Sequence, residues 1–77
     1  MLISEMNISL AETIAMICTR YKIQKAELAE MIAYDPATLY RLSTEPDIGE
    51  STERRLRILL SYAENELVKK VAVEAEK

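Results

Sequence analysis

The chain has 77 residues, a formal net charge of −3 and a pI near 4.9, with 49% hydrophobic and 30% charged side chains. A chain this short forms one domain and buries roughly 60% of its unfolded surface, which argues against a multistep enzyme with a deep pocket. It contains one Gly, one Cys and no His, Trp or Phe. That composition favours compact helices over sheets or disorder. It leaves no material for a transition-metal site, a Cys/His nucleophile or a glycine-rich phosphate cradle. The thirteen acidic residues read as solvent-facing helix and loop positions rather than as an acid–base pair. No catalytic residue, metal, cofactor or small-molecule ligand is expected.

Residues 1–8 mix Leu2, Ile3, Met6 and Ile8 with Ser4, Glu5 and Asn7. They form an N-terminal arm: an extended segment, an extra helical turn, or a strand laid on this subunit or a neighbour. Residues 9–12, SLAE, match a capping box, so a first helix is expected over about 10–21. Leu10, Ile14, Ile17, Cys18 and Tyr21 recur at spacings of three and four and mark its core stripe. Cys18 reads as a small apolar residue of that stripe. A single cysteine, without a secretory signal or a long apolar run, points to a reducing cytoplasm and away from a membrane.

Residues 23–43, IQKAELAEMIAYDPATLYRLS, carry the organising feature. Leu28 and Ile32 share one face of a short helix, and Ala29 beside them lets a second backbone approach. Asp35 then offers a side-chain N-cap and Pro36 a preset first helical residue, so a new helix starts near Pro36. Leu39 and Leu42 pack back on Leu28 and Ile32, leaving Ala37, Thr38, Tyr40, Arg41 and Thr44 outward. Two short helices at a tight corner, with the second turned outward, are the geometry of a helix-turn-helix.

The segment resembles the helix-turn-helix of the phage repressor and Cro-like family. Lys25 falls at the first motif position, Leu28 and Ala29 at the paired apolar and small positions, Ala33 at the turn, and Leu39 and Leu42 on the second helix. The likeness covers about residues 9–63, because the loop with Pro46, the Ser51–Thr52 pair and the arginine–leucine run also fit such domains. Two positions depart from the pattern. Ala33 stands where Gly is common, and Asp35 and Pro36 stand where polar base-reading side chains often sit.

Residues 43–50 contain Pro46, Asp47 and Gly49 and read as a loop, with Ile48 reaching into the core. Ser51 or Thr52 can cap the next helix, which carries Leu56, Leu59, Leu60 and Ala63 on one side and Arg54, Arg55 and Arg57 elsewhere. No break follows. Leu67, Val68, Val71, Val73 and Ala75 continue the apolar pattern, so the helix should reach about Val73. The expected fold is all-α: a compact four- to five-helix domain with a helix-turn-helix over residues 9–63 and a helical extension over 64–77. So small a domain leaves little for the extension to pack on. A homodimer through Leu60, Leu67, Val68 and Val71, assisted by the arm, is therefore expected.

The resemblance implies a small phage- or bacterium-like transcriptional regulator that binds double-stranded operator DNA as a dimer. Ala37, Thr38, Tyr40 and Arg41 would then approach base edges, and Lys25, Arg54, Arg55 and Arg57 would hold phosphates. Charge stands against this reading, since phosphate contacts usually supply much of the affinity and the chain is acidic. The distribution is more favourable than the total: residues 20–43 hold four basic and three acidic side chains, and residues 54–57 add three arginines. Each candidate has a structural alternative, with Tyr40 covering the core edge and the arginines pairing with Glu50 or Glu53. A second reading is a helix-turn-helix module that binds a host protein instead of DNA. A third, an antitoxin combining both, ranks below these.

Overall fold

The computed structural model describes residues 2–45 and 47–75, with side chains as far as residue 72. Pro46 of the expected loop, Met1 of the arm, residues 76–77 of the extension and the side chains of Val73 and Ala75 lie outside the described residues. Four helices follow a short 3-10 turn at Ile3–Glu5: α1 Leu10–Tyr21, α2 Lys25–Met31, α3 Pro36–Thr44 and α4 Glu50–Ala75. No strand occurs among the described residues, and the fold is all-α.

Local chemistry sets most of the boundaries. The Ser9 side chain accepts a hydrogen bond from the Glu12 N–H at 3.1 Å, so α1 starts at Leu10 as the capping sequence predicts. It stops where Lys22 adopts a left-handed conformation, φ 55°, and its N–H returns to the Cys18 carbonyl. Leu10, Ile14 and Ile17 are buried, and Cys18 and Tyr21 are half-buried against them. Thr13 is buried as well. Its hydroxyl donates to the Ser9 carbonyl at 2.8 Å, which removes the penalty of a polar group indoors.

The corner between α2 and α3 spans residues 32–35. Ile32 closes α2 and stays buried, and the Tyr34 N–H donates to the Ala29 carbonyl at 2.8 Å. Ala33 between them lies at φ 60°, a left-handed conformation that an L side chain adopts at a cost of about 1 kcal/mol. Asp35 then accepts from the N–H groups of Ala37 and Thr38, and Pro36 opens α3. Leu39 is buried in the core, whereas Leu42 is only half-buried at its edge. Beyond the loop, α4 begins at Glu50, so Ser51 and Thr52 lie inside its first turn rather than capping it. Gly49, at φ 87°, lets the chain enter the helix early, and its carbonyl accepts the Glu53 N–H.

The arm belongs to the core. Ile3 is fully buried, and the 3-10 turn packs on both α1 and α4. What holds it is Glu64, a fully buried carboxylate on α4. Its oxygens accept the N–H groups of Ile3 at 2.7 Å and Ser4 at 2.8 Å, and the Tyr21 hydroxyl at 3.0 Å. Arg20 lies 3.8 Å away on α1. Glu64 thus corrects the reading of all acidic residues as solvent-facing.

With arm and α1 both laid on α4, Leu60 and Leu67 are consumed by the protomer's own core. They are removed from the expected dimer interface, and α4 has something to pack on as far as Leu67. Val68 and Val71 remain exposed.

Two measurements test these supports. Ala33→Gly should raise the unfolding free energy by about 0.5–1 kcal/mol, read as an increase in denaturation midpoint, because it relieves the left-handed strain. For Glu64, burial pushes the carboxyl up, but the Ser4 and Ile3 amides and the Tyr21 hydroxyl outweigh it and hold the carboxyl below its ordinary 4.5. A pKa lowered on folding contributes stability that is complete above pH 4.5 and is lost as the pH falls through the folded-state value. Glu64→Gln should cost about 2–3 kcal/mol at neutral pH, since an amide N–H would face backbone donors, and should flatten the acid limb of the stability curve. An unchanged acid limb would assign that pH dependence to other carboxylates.

Candidate nucleic-acid interface

The outward side of α3 is the surface expected to face a partner. Buried Leu39 fixes the rotation of the helix and the Asp35 cap fixes its start. Ala37, Tyr40, Arg41 and Thr44 are consequently exposed, Tyr40 at 62%, while Thr38 is half-buried. Lys25, the first residue of α2, places its ammonium 6.0 Å from the centre of the Tyr40 ring, at the outer limit of a cation–π contact. The fold thereby brings one predicted phosphate contact beside the predicted base-reading residues.

Other donors on this face are already engaged. The Thr44 hydroxyl turns back to the carbonyls of Tyr40 and Arg41, and the Ser43 hydroxyl to that of Tyr40. The Ala37 and Thr38 amides are held by the Asp35 carboxylate. An acid occupies the place where a helix N-terminus would otherwise meet a phosphate. The side chains of Tyr40, Arg41 and Lys25 are left as the polar equipment of the face.

The arginine run divides three ways. Arg57 is a structural clamp and is corrected as a phosphate contact: its Nη2 donates to the Ile8 carbonyl at 3.0 Å and to Glu53 at 2.9 Å, and its Nε also donates to Glu53. Arg54 lies 3.5 Å from Glu50, both side chains largely exposed, so this pair is weak and separable. Arg55 is exposed, with no ion pair or hydrogen bond to its side chain among the described residues. The run and the reading face lie on different helices. Helix α3 packs on α1 and α2, whereas α4 packs on α1 and the N-terminal turn.

An acidic cleft of about 400 Å³ lies between the end of α3 and the start of α4, lined in part by Glu45, Asp47, Glu50, Glu53, Leu42 and Ile48. Sequence reading placed Glu45, Asp47 and Glu50 in the loop and Glu53 in the helix that follows, but did not foresee them gathered around one opening. Two other features were missed, Glu64 and the Arg57–Ile8 bond. Glu64 was detectable in principle, since it shares a helix face with Leu60 and Leu67. The partner of Arg57 lies 49 residues away and left no sequence signal.

Burial raises the Cys18 thiol above its ordinary value, more than the Lys25 charge lowers it, so it stays protonated at neutral pH and is a packing group rather than a nucleophile. Among the described residues no cluster of His, Cys, Asp or Glu is arranged to hold a metal, and no helix is long and apolar enough to cross a membrane. No protein-family model, curated protein or solved structure matches the chain.

If Arg57 is a clamp, Arg57→Gln should lower stability by about 1 kcal/mol, a figure reduced because the side chain is 32% exposed. It should not change retention on nucleic acid. Weakened retention with unaltered melting would return Arg57 to the phosphate contacts.

Proposed function

We propose that the protein is a small helix-turn-helix DNA-binding regulator of the phage-repressor type, working in the cytoplasm, with α3 entering the major groove. The observation that carries this reading is the exposed face of α3, on which Tyr40 and Arg41 stand beside Lys25 from the start of α2. Arg41 supplies the fork of donors that pairs with guanine, Ala37 an apolar contact for a thymine methyl, and Tyr40 a hydroxyl with a flat ring. Lys25 serves the adjoining phosphates. Arg54 and Arg55 serve a more distant stretch of backbone, Arg54 after leaving Glu50. Two copies would read a palindrome with half-sites about one helical turn apart.

The net charge limits the affinity. Three phosphate contacts per protomer, six for two copies on one operator, correspond to a slope of roughly −5 in log K against log salt, at the shallow end for a DNA-binding protein. Base and shape readout must then carry an unusual share of the binding.

A second reading, a helix-turn-helix module that binds a host protein, is favoured by one observation. The acidic cleft beside α3, with Arg57 withdrawn into the fold, suits a basic protein surface better than phosphate.

Selection of bound duplexes from a random-sequence pool, at low and moderate salt, separates the two. Enrichment of a palindromic motif that Arg41→Ala abolishes, with melting unchanged, is the outcome expected for the regulator. Absence of any enriched motif would reject it in favour of the protein-binding module.

A further inference from the structure

Helix α4 is 26 residues long, and only one of its sides meets the rest of the protein. Leu56, Leu60, Ala63, Glu64 and Leu67 form the buried side. Ile58 and Tyr62, four residues apart, share the opposite side, about 200° round the helix from Leu56 and Leu60 respectively. Among the described side chains of α4 they are the most exposed large hydrophobic residues, at 59% and 72%. Arg54 and Arg55 lie one turn before this pair, and Glu66 one turn after it.

We propose that a second copy of this chain docks antiparallel on the outer side of α4, with Ile58 and Tyr62 at its centre. The charge order on this side is self-complementary in that arrangement alone. A twofold axis at the level of Leu60 lays Ile58 on the second copy's Tyr62 and brings Arg55 opposite the second copy's Glu66, both pairs occurring twice by symmetry. From that axis Arg55 lies about 7.5 Å and Glu66 about 9 Å along the helix, so they meet within about 1.5 Å of level. They also lie on the same flank of the Ile58–Tyr62 line, which a twofold of this kind requires. A parallel pairing would set arginine against arginine and Glu66 against Glu66. The present intramolecular partner of Glu66 is Lys69 at 3.5 Å, with both side chains exposed, a pair weak enough to yield.

This interface differs from the one expected from the sequence, whose Leu60 and Leu67 face inward. It is tested without nucleic acid, and where it forms it takes Arg55 from the phosphate contacts of the DNA-binding reading and leaves Lys25 and Arg54.

The test is sedimentation equilibrium of the full chain at roughly 100 µM, a concentration at which a micromolar dimer is fully formed. The wild type should show twice 8.8 kDa. Tyr62→Glu should give a monomer with unchanged helicity that melts as the wild type does when diluted well below its dissociation constant, as its site is exposed. Arg55→Glu should weaken association about tenfold, from two lost pairs and two new repulsions, and Arg55→Glu combined with Glu66→Arg should restore it. A monomeric wild type would overturn the proposal. So would a dimer that Tyr62→Glu leaves intact, or a charge reversal that the second exchange fails to rescue.

Discussion

An ionised carboxylate in the interior of an 8.8 kDa protein would, if unpaired, cost several kcal/mol, a large share of the stability available to so small a domain. Glu64 is retained because everything around it is a donor: two backbone amides of the N-terminal turn, the Tyr21 hydroxyl and, farther off, Arg20. The arrangement binds three parts of the sequence at once. With the Ile3 amide fixed on Glu64, the Ile3 side chain fills the space between α1 and α4, and Tyr21 ties the end of α1 to the middle of α4. Seven residues earlier on α4, Arg57 holds the Ile8 carbonyl. The N-terminal segment is therefore fastened at both ends by charged side chains two turns apart on the same helix face.

That design explains what could be read in advance. Signals confined to a few neighbouring residues were legible: the Ser9 cap, the Asp35–Pro36 restart, the apolar stripe of α1 and the unbroken run of α4. Each depends on hydrogen bonds or spacings that the local chain completes by itself. The fate of residues 2–8 was not legible, because it depends on Glu64 and Arg57, about fifty to sixty positions away. Charged residues at helical spacing ordinarily read as solvent-facing, and only a buried partner reverses that reading. The same cause misplaced Leu60 and Leu67: they look spare until the arm is known to cover them. The candidate interface divides likewise. The rotation of α3 followed from Leu39 and exposed Tyr40 and Arg41, whereas the neutralisation of Arg57 required the fold.

The distribution of charge then gives each surface its own character. The face of α3 is sparsely charged and carries an aromatic ring under an ammonium. The cleft at its end is acidic, and the outer side of α4 alternates arginine, apolar and glutamate along its length. A net charge of −3 thus conceals three surfaces with different preferences. Helix α3 packs on α1 and α2 and helix α4 on α1 and the N-terminal turn, while the cleft joins the end of α3 to the start of α4.

Helix α4 also passes through two mechanical regimes. From Leu56 to Leu67 its backbone is covered by core side chains, so opening those turns means opening the protein. After Leu67 the helix runs on for another two turns to Ala75 with exposed side chains at Val68, Lys69, Lys70, Val71 and Ala72. The described side chains of those turns, as far as Ala72, are exposed, and short helix without core cover is marginal in water. Amide protons along one continuous helix should therefore exchange with solvent on sharply different timescales, slowly up to Leu67 and rapidly beyond it. The last two turns would act as a separable unit whose order depends on whatever comes to lie against them.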